Sequence, residues 1–96
     1  MAAYALIELE VTNMDGMRPY LDAVSATIAA HGGKYLVRAG TTEVAEGNLG
    51  EYPAKVVLEF SSMEAAQRWY NSPEYQAILP HRTKNSKCNF VWAEGI

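Results

Sequence analysis

The stretch Lys55-Val56-Val57-Leu58-Glu59-Phe60-Ser61-Ser62-Met63-Glu64 contains the change of period that decides the fold. Through Phe60 the residues alternate. Val56, Leu58 and Phe60 share one face and Val57 and Glu59 the other, as in a half-buried strand. Ser61 followed by Glu64 then has capping-box spacing, with Ser61 as cap and Glu64 reaching back to it. The helix that follows runs to about Asn71 and carries Met63, Ala66, Trp69 and Tyr70. Ser72-Pro73-Glu74 is a second start signal: a cap, a proline where no helical N–H is needed, and an acid at the positive helix end. The second helix is therefore expected in two pieces, broken before Pro73. Its second piece carries Tyr75, Ile78 and Leu79 and weakens at Pro80, leaving His81 and Arg82 on a mobile, partly exposed segment that borders a pocket.

Upstream, Ala3 to Thr12 alternates, with Ala5, Ile7, Leu9 and Val11 on one face and Tyr4, Leu6, Glu8 and Glu10 on the other. Asn13 or Asp15 can cap a helix whose apolar stripe is Met17, Tyr20/Leu21, Val24, Ile28 and His31. Pro19 predicts a late start for that helix, and Gly32-Gly33 ends it. His31, at the negative end of the dipole, reads as structural. Lys34 to Ala39 is a second strand, continued or bent by Thr42 to Glu46, with a bulge expected at Gly40. Residues 47–53 form a loop by composition, and Asn89 to Glu94 is a last strand whose phase the pattern leaves open. The order β-α-β-β-α-β is an α+β, ferredoxin-like plan. It makes a four-stranded antiparallel sheet in spatial order 4-1-3-2 with helices on one face.

The 96 residues suit a single domain spanning 1–96, and 49% hydrophobic with 20% charged residues marks a globular chain. A net charge of −3 argues against nucleic acid and anionic membrane surfaces as partners. Cys88 is the only cysteine, so neither an internal disulfide nor a thiolate metal cluster can form. No HExxH, CxxC, phosphate-loop or dinucleotide glycine pattern occurs, so no metal and no cofactor is expected. Met1-Ala2-Ala3-Tyr4 lacks the basic stretch of a secretory signal. Tyr4 to Val11 is interrupted by acids and too short to span a bilayer, so the expected location is cytoplasmic.

Helices on one face leave Tyr4, Leu6, Glu8, Glu10, Leu36, Arg38, Val57 and Glu59 on the other. That mixture of large apolar groups, acids and an arginine suits burial against a second copy, giving a homodimer in which two sheets form a dimeric α/β barrel. Arg38 and Glu59 are expected to project into one polar site, as a structural ion pair or as the anchor of a small organic ligand. Glu59 and His81 are the candidate catalytic groups. Arg38 and Arg82 are candidate anion holders, and Trp69, Tyr70 and Tyr75 candidate walls of a pocket between the sheet and the broken helix.

The chain resembles the family known as domain of unknown function 1330. The matching pieces are Gly32-Gly33 leading to Leu36-Val37-Arg38, Glu46-Gly47, Leu58-Glu59-Phe60, Trp69-Tyr70, Ser72-Pro73-Glu74-Tyr75-Gln76, Arg82 and Glu94-Gly95. The resemblance implies the dimeric α/β-barrel superfamily and no settled activity. That superfamily includes cofactor-free oxygenases, lactone isomerases and haem-degrading enzymes as well as sensory and structural members. Two readings follow. In one, the protein holds a compact organic ligand, and any chemistry is cofactor-free proton transfer, isomerase-like or oxygenase-like. In the other, it is a non-catalytic dimeric structural or interaction module.

Overall fold

Strand β1 (Ala3–Val11) runs antiparallel between β3 (Ala54–Phe60) and β4 (Ser86–Glu94), and β2 (Lys34–Arg38) adds to the outer side of β3. The order β2-β3-β1-β4 is the one expected from the element pattern. Helices α1 (Met14–Ala30), α2 (Met63–Tyr70) and α3 (Pro73–Asn85) cover one face, in a computed structural model that describes residues 1–96. The shortest dimension is 17 Å, one sheet and one helix layer thick. No helix is long and apolar enough to cross a membrane.

Helix α1 starts at Met14, because Asn13 Oδ1 accepts the Gly16 N–H at 3.2 Å, and Pro19 lies inside the helix instead of delaying it. Proline removes one helical bond, to the Asp15 carbonyl, and both residues are exposed where solvent satisfies the freed group. The far end closes as a Schellman turn. Gly32, at φ +74°, donates to the Ala29 carbonyl and Gly33 donates to that of Ile28. Gly33 is also held close: a Cβ there would sit 2.4 Å from Phe60 Cε1.

The cap of α2 is Ser62, one residue later than the capping-box spacing predicts, and its Oγ accepts the Ala65 N–H at 3.0 Å. The break before Pro73 is present. Ser72 Oγ accepts from Tyr75 N at 3.3 Å and donates to the Trp69 carbonyl at 2.7 Å, tying the two helices at their corner. Helix α3 then runs through Pro80 to Asn85, so His81 and Arg82 belong to a helix and not to a mobile segment. Pro80 is exposed, and the last turn is closed by Asn85 Nδ2 bonding the His81 carbonyl and Ser86 Oγ bonding that of Arg82. His81 faces solvent and Arg82 faces inward.

Strand β2 departs from simple alternation. Tyr35 pairs with Leu58 and Val37 with Val57, so Leu36 is an extra, bulged residue and Arg38 pairs with Val56. The strand stops at Ala39, whose φ of +52° turns the chain out of the sheet. Residues 42–46, expected to continue or bend the strand, lie outside the sheet as exposed coil, and the bulge lies at Leu36 instead of Gly40. Register also settles the phase of β4. Phe90 opposite Ile7 and Trp92 opposite Ala5 put both aromatics beneath the helices.

The helix-facing side of the sheet has two unlike halves. Near α2, Ala3 and Ala5 on the central strand leave room for Phe60, Trp69, Trp92 and Tyr75. Trp69 is fully buried, with its ring centre 4.1 Å from that of Tyr75 and 5.3 Å from that of Phe60. Its Nε1 donates to Thr27 Oγ1 at 3.1 Å, pinning α2 to α1. The other half, beneath the first turns of α1, is aliphatic and incompletely filled.

Candidate functional site

A cavity of about 330 Å³ lies between α1 and the sheet. Ile7, Leu9 and Val56 form its floor, and Met17, Leu21 and Val24 its roof. Fifteen of its seventeen lining residues are hydrophobic, and the other two are Arg38 and Arg82. It exists because β1 carries medium-sized aliphatics here, while α1 presents Met17, Val24 and an outward-leaning Leu21, with Tyr20 as its one aromatic.

Arg82 enters from α3 and is 5% exposed. Its guanidinium lies 5.7 Å from the Tyr20 ring centre and 5.6 Å from that of Phe90. Tyr20 also lines the cavity, and its hydroxyl shares a hydrogen bond of 2.8 Å with that of Tyr75. Burial pushes both phenols up, with their mutual contact adding to the rise at Tyr20 and Arg82 opposing it at both. Burial likewise raises the Cys88 thiol against the pull of Arg82. For Arg82 burial disfavours the charge, but the Tyr75 and Tyr20 hydroxyls outweigh it and its pKa lies above the ordinary value. Arg38 stacks over the Tyr35 ring at 4.7 Å on the exposed side of the cavity.

The opposite face of the sheet is a separate surface. Pairing aligns Val37, Val57, Leu6 and Val91 in one apolar row across all four strands. Leu6 is 45% exposed and Val91 55%. Polar rows flank it. On one side Lys34 Nζ meets Glu59 Oε1 at 3.2 Å, with Tyr4 next to Glu59. On the other, Glu8 accepts from Lys55 Nζ at 2.8 Å, Asn89 Nδ2 at 2.9 Å and Glu51 N at 3.3 Å. Lys55 also bonds the Tyr52 carbonyl.

These bonds, Lys55 first and Asn89 next, hold the Glu8 carboxyl at about 2 against an ordinary 4.5. A depressed native pKa contributes stability that is complete above the unfolded value and lost as pH falls through the native one. The urea midpoint is therefore expected to decline between about pH 5 and pH 2, and less steeply in Glu8→Gln. Glu74, bonded by His31 Nε2 at 2.7 Å and also held low, accounts for part of the decline that remains. Parallel pH profiles for the two proteins would show that the Glu8 cluster contributes nothing to folding.

The family model described as Domain of unknown function (DUF1330) matches residues 2–96. The chain belongs to the DUF1330 family. No protein of curated function matches the sequence. Among solved structures, a protein of unknown function from Rhodopseudomonas palustris superposes with a TM-score of 0.77 at 13% identity, over 99% of this chain and 82% of that one. A dimeric ferredoxin-like protein of unknown function from Jannaschia sp. CCS1 gives 0.74 at 15% identity, over 99% of this chain and 100% of that one. SnoaB, a cofactor-independent oxygenase from Streptomyces nogalater, gives 0.66 at 10% identity, over 99% and 93%. At such identities the likeness is one of fold, and the fold is ferredoxin-like.

Within this DUF1330 fold the residues singled out from sequence separate into three groups. Arg38 and Arg82 line the cavity. Trp69, Tyr70 and Tyr75 belong to the aromatic cluster, and of these Tyr75 reaches the cavity's edge only through its bond to Tyr20. Glu59 lies on the open face with Lys34, and His81 faces solvent. Arg38 and Glu59 therefore do not converge. The Leu36 bulge inverts the parity of β2 beyond it, turning Arg38 to the helix side while Glu59 stays on the other. The cavity lies beneath α1, with α3 supplying Arg82, and not along the broken helix as a whole. Tyr20 is the site residue that the sequence reading treats as core only. The signal for it is a phenol on a buried stripe, whose hydroxyl must find a partner.

Proposed function

We propose that this DUF1330 protein is a dimeric α/β barrel that binds a compact, largely apolar small molecule in the cavity beneath α1. The observation that carries the reading is the contrast within one core. Its aromatic half is filled, while the adjoining aliphatic half holds about 330 Å³ of open space. That is near the lower end of the roughly 300–1,000 Å³ of ligand pockets, which are likewise mostly apolar with a few placed polar groups. Binding is the activity proposed. The cavity wall carries no carboxylate or histidine to act as a base, and Glu59 and His81 lie away from it.

Dimerisation draws support from the apolar row Val37–Val57–Leu6–Val91 and from the dimeric Jannaschia protein of like fold. Burying this face between two copies is expected to remove about 1,200–2,000 Å² from water. A second reading, a non-catalytic assembly module, draws on the same face, where Glu8–Lys55 and Lys34–Glu59 are already paired within the chain.

A thermal-shift screen with small carboxylates, lactones and quinones separates the readings. A ligand at 100 times its Kd stabilises the native state by about 2.7 kcal/mol, and each kcal/mol raises Tm by about 4–8 °C in a domain of this size. Hits are expected from compact aromatic members. Val24→Phe, which fills the cavity from its roof, should fold and lose the response. A screen without hits, or hits that survive Val24→Phe, favours the assembly module.

A further inference from the structure

We propose that the cavity selects an organic anion, a carboxylate or similar compact oxyanion on an apolar body, with its charge seated against Arg82 and the Tyr20 hydroxyl. This deepens the ligand-binding reading and rests on it.

The Arg82 guanidinium has no anionic partner within the chain. Arg82 is 5% exposed, and a guanidinium stays protonated at any pH the fold tolerates. A buried charge is strongly disfavoured unless it is paired and hydrogen-bonded. Yet none of the protein's four ion pairs within 4.0 Å includes Arg82. No acceptor of the chain reaches its Nε. Tyr75 and Cys88 share hydrogen bonds with the guanidinium and Tyr20 lies beside it, but burial raises all three, so each is neutral at pH 7 and none supplies a counter-charge. The aromatic faces of Tyr20 and Phe90 offer the cation some electrostatic relief, but they are no substitute for an anion.

The rest of the wall agrees with that reading. Its one other charged residue is Arg38, so the cavity presents two cations and no acid. Such a space attracts anions and repels cations. The Tyr20–Tyr75 bond adds a second donor. When Tyr75 donates, the Tyr20 O–H is free to donate to a group in the cavity it lines. A fixed fork beside a phenol suits two carboxylate oxygens. The aliphatic floor of Ile7, Leu9 and Val56 suits the body of the molecule.

The probes are 2-naphthoate and its neutral isostere 2-naphthamide, followed by calorimetry with the full chain. Naphthoate is expected to bind at least about tenfold more tightly, since only it satisfies the buried charge. Arg82→Met should erase the preference while both probes still bind. The ¹⁵N–¹H signal of Arg82 Nε–H in the wild-type protein should move with naphthoate and not with naphthamide, which keeps the test decisive if Arg82→Met does not fold. Equal affinity for the two probes, or an Arg82 Nε–H signal indifferent to naphthoate, overturns the anion assignment and leaves the cavity reading standing. Failure of both probes to bind overturns the two together.

Discussion

Trp69→Ala is expected to lower the unfolding free energy by about 3–5 kcal/mol, the range for deleting a buried large aromatic. Total stability for a chain of this length is on the order of 5–15 kcal/mol, so the loss takes a large share of it. Trp69 has no exposed surface and touches the rings of Phe60, Tyr70, Tyr75, Phe90 and Trp92. Neighbouring rings cannot collapse into the space it leaves, because each is held by the sheet or by a helix start. The indole also supplies the Nε1–Thr27 bond between α2 and α1. Trp69→Phe keeps most of the packing and loses that bond, and is expected to cost less than Trp69→Ala by well over 1 kcal/mol. Urea unfolding measures both. A Trp69→Ala loss below about 1.5 kcal/mol, the level of a surface or half-buried change, would contradict the packing described.

Leu6→Asp is expected to convert the proposed dimer to monomer without unfolding the chain. Leu6 sits between Val57 and Val91 in the apolar row. It is already 45% exposed in a single chain, so an acid there costs the isolated fold little. Across a two-fold axis the change buries two carboxylates without partners. Each costs several kcal/mol, which together weaken association at least about a thousandfold. Sedimentation velocity at micromolar concentration should give the mass of two chains for the wild type and one for Leu6→Asp, with unchanged far-ultraviolet circular dichroism. A wild-type mass of one chain would remove the dimer from the functional proposal.

The strand faces, the helix stops and the break at Ser72-Pro73 are legible in the sequence because each depends on neighbours within a few residues. Alternation marks Val56, Leu58 and Phe60, and the Schellman turn at Gly32-Gly33 needs only the helix it closes. Strand order follows from the element pattern. What sequence hides is set at long range. Proline at position 80 reads as a stop, yet α3 continues because packing on its Arg82 side and solvent on its Pro80 side outweigh one missing bond. The phase of β4 is fixed only by pairing Phe90 with Ile7. Tyr20 and Tyr75 lie 55 positions apart, and no local pattern joins their hydroxyls. The cavity is harder still, since a void is a property of side chains that fail to meet.

The bulge at Leu36 also ties the two faces of the sheet together. In a strand of the same length without the bulge, Leu36 would stand opposite Val57 and the Arg38 guanidinium would move from the cavity side to the exposed sheet face, whereas deleting Leu36 itself would leave Arg38 opposite Val56 on the cavity side. Ironing out the bulge would thus move a charge from the cavity to the open face with no substitution at either place. The backbone conformation of one residue in the second strand therefore decides how charge divides between the two faces of the sheet.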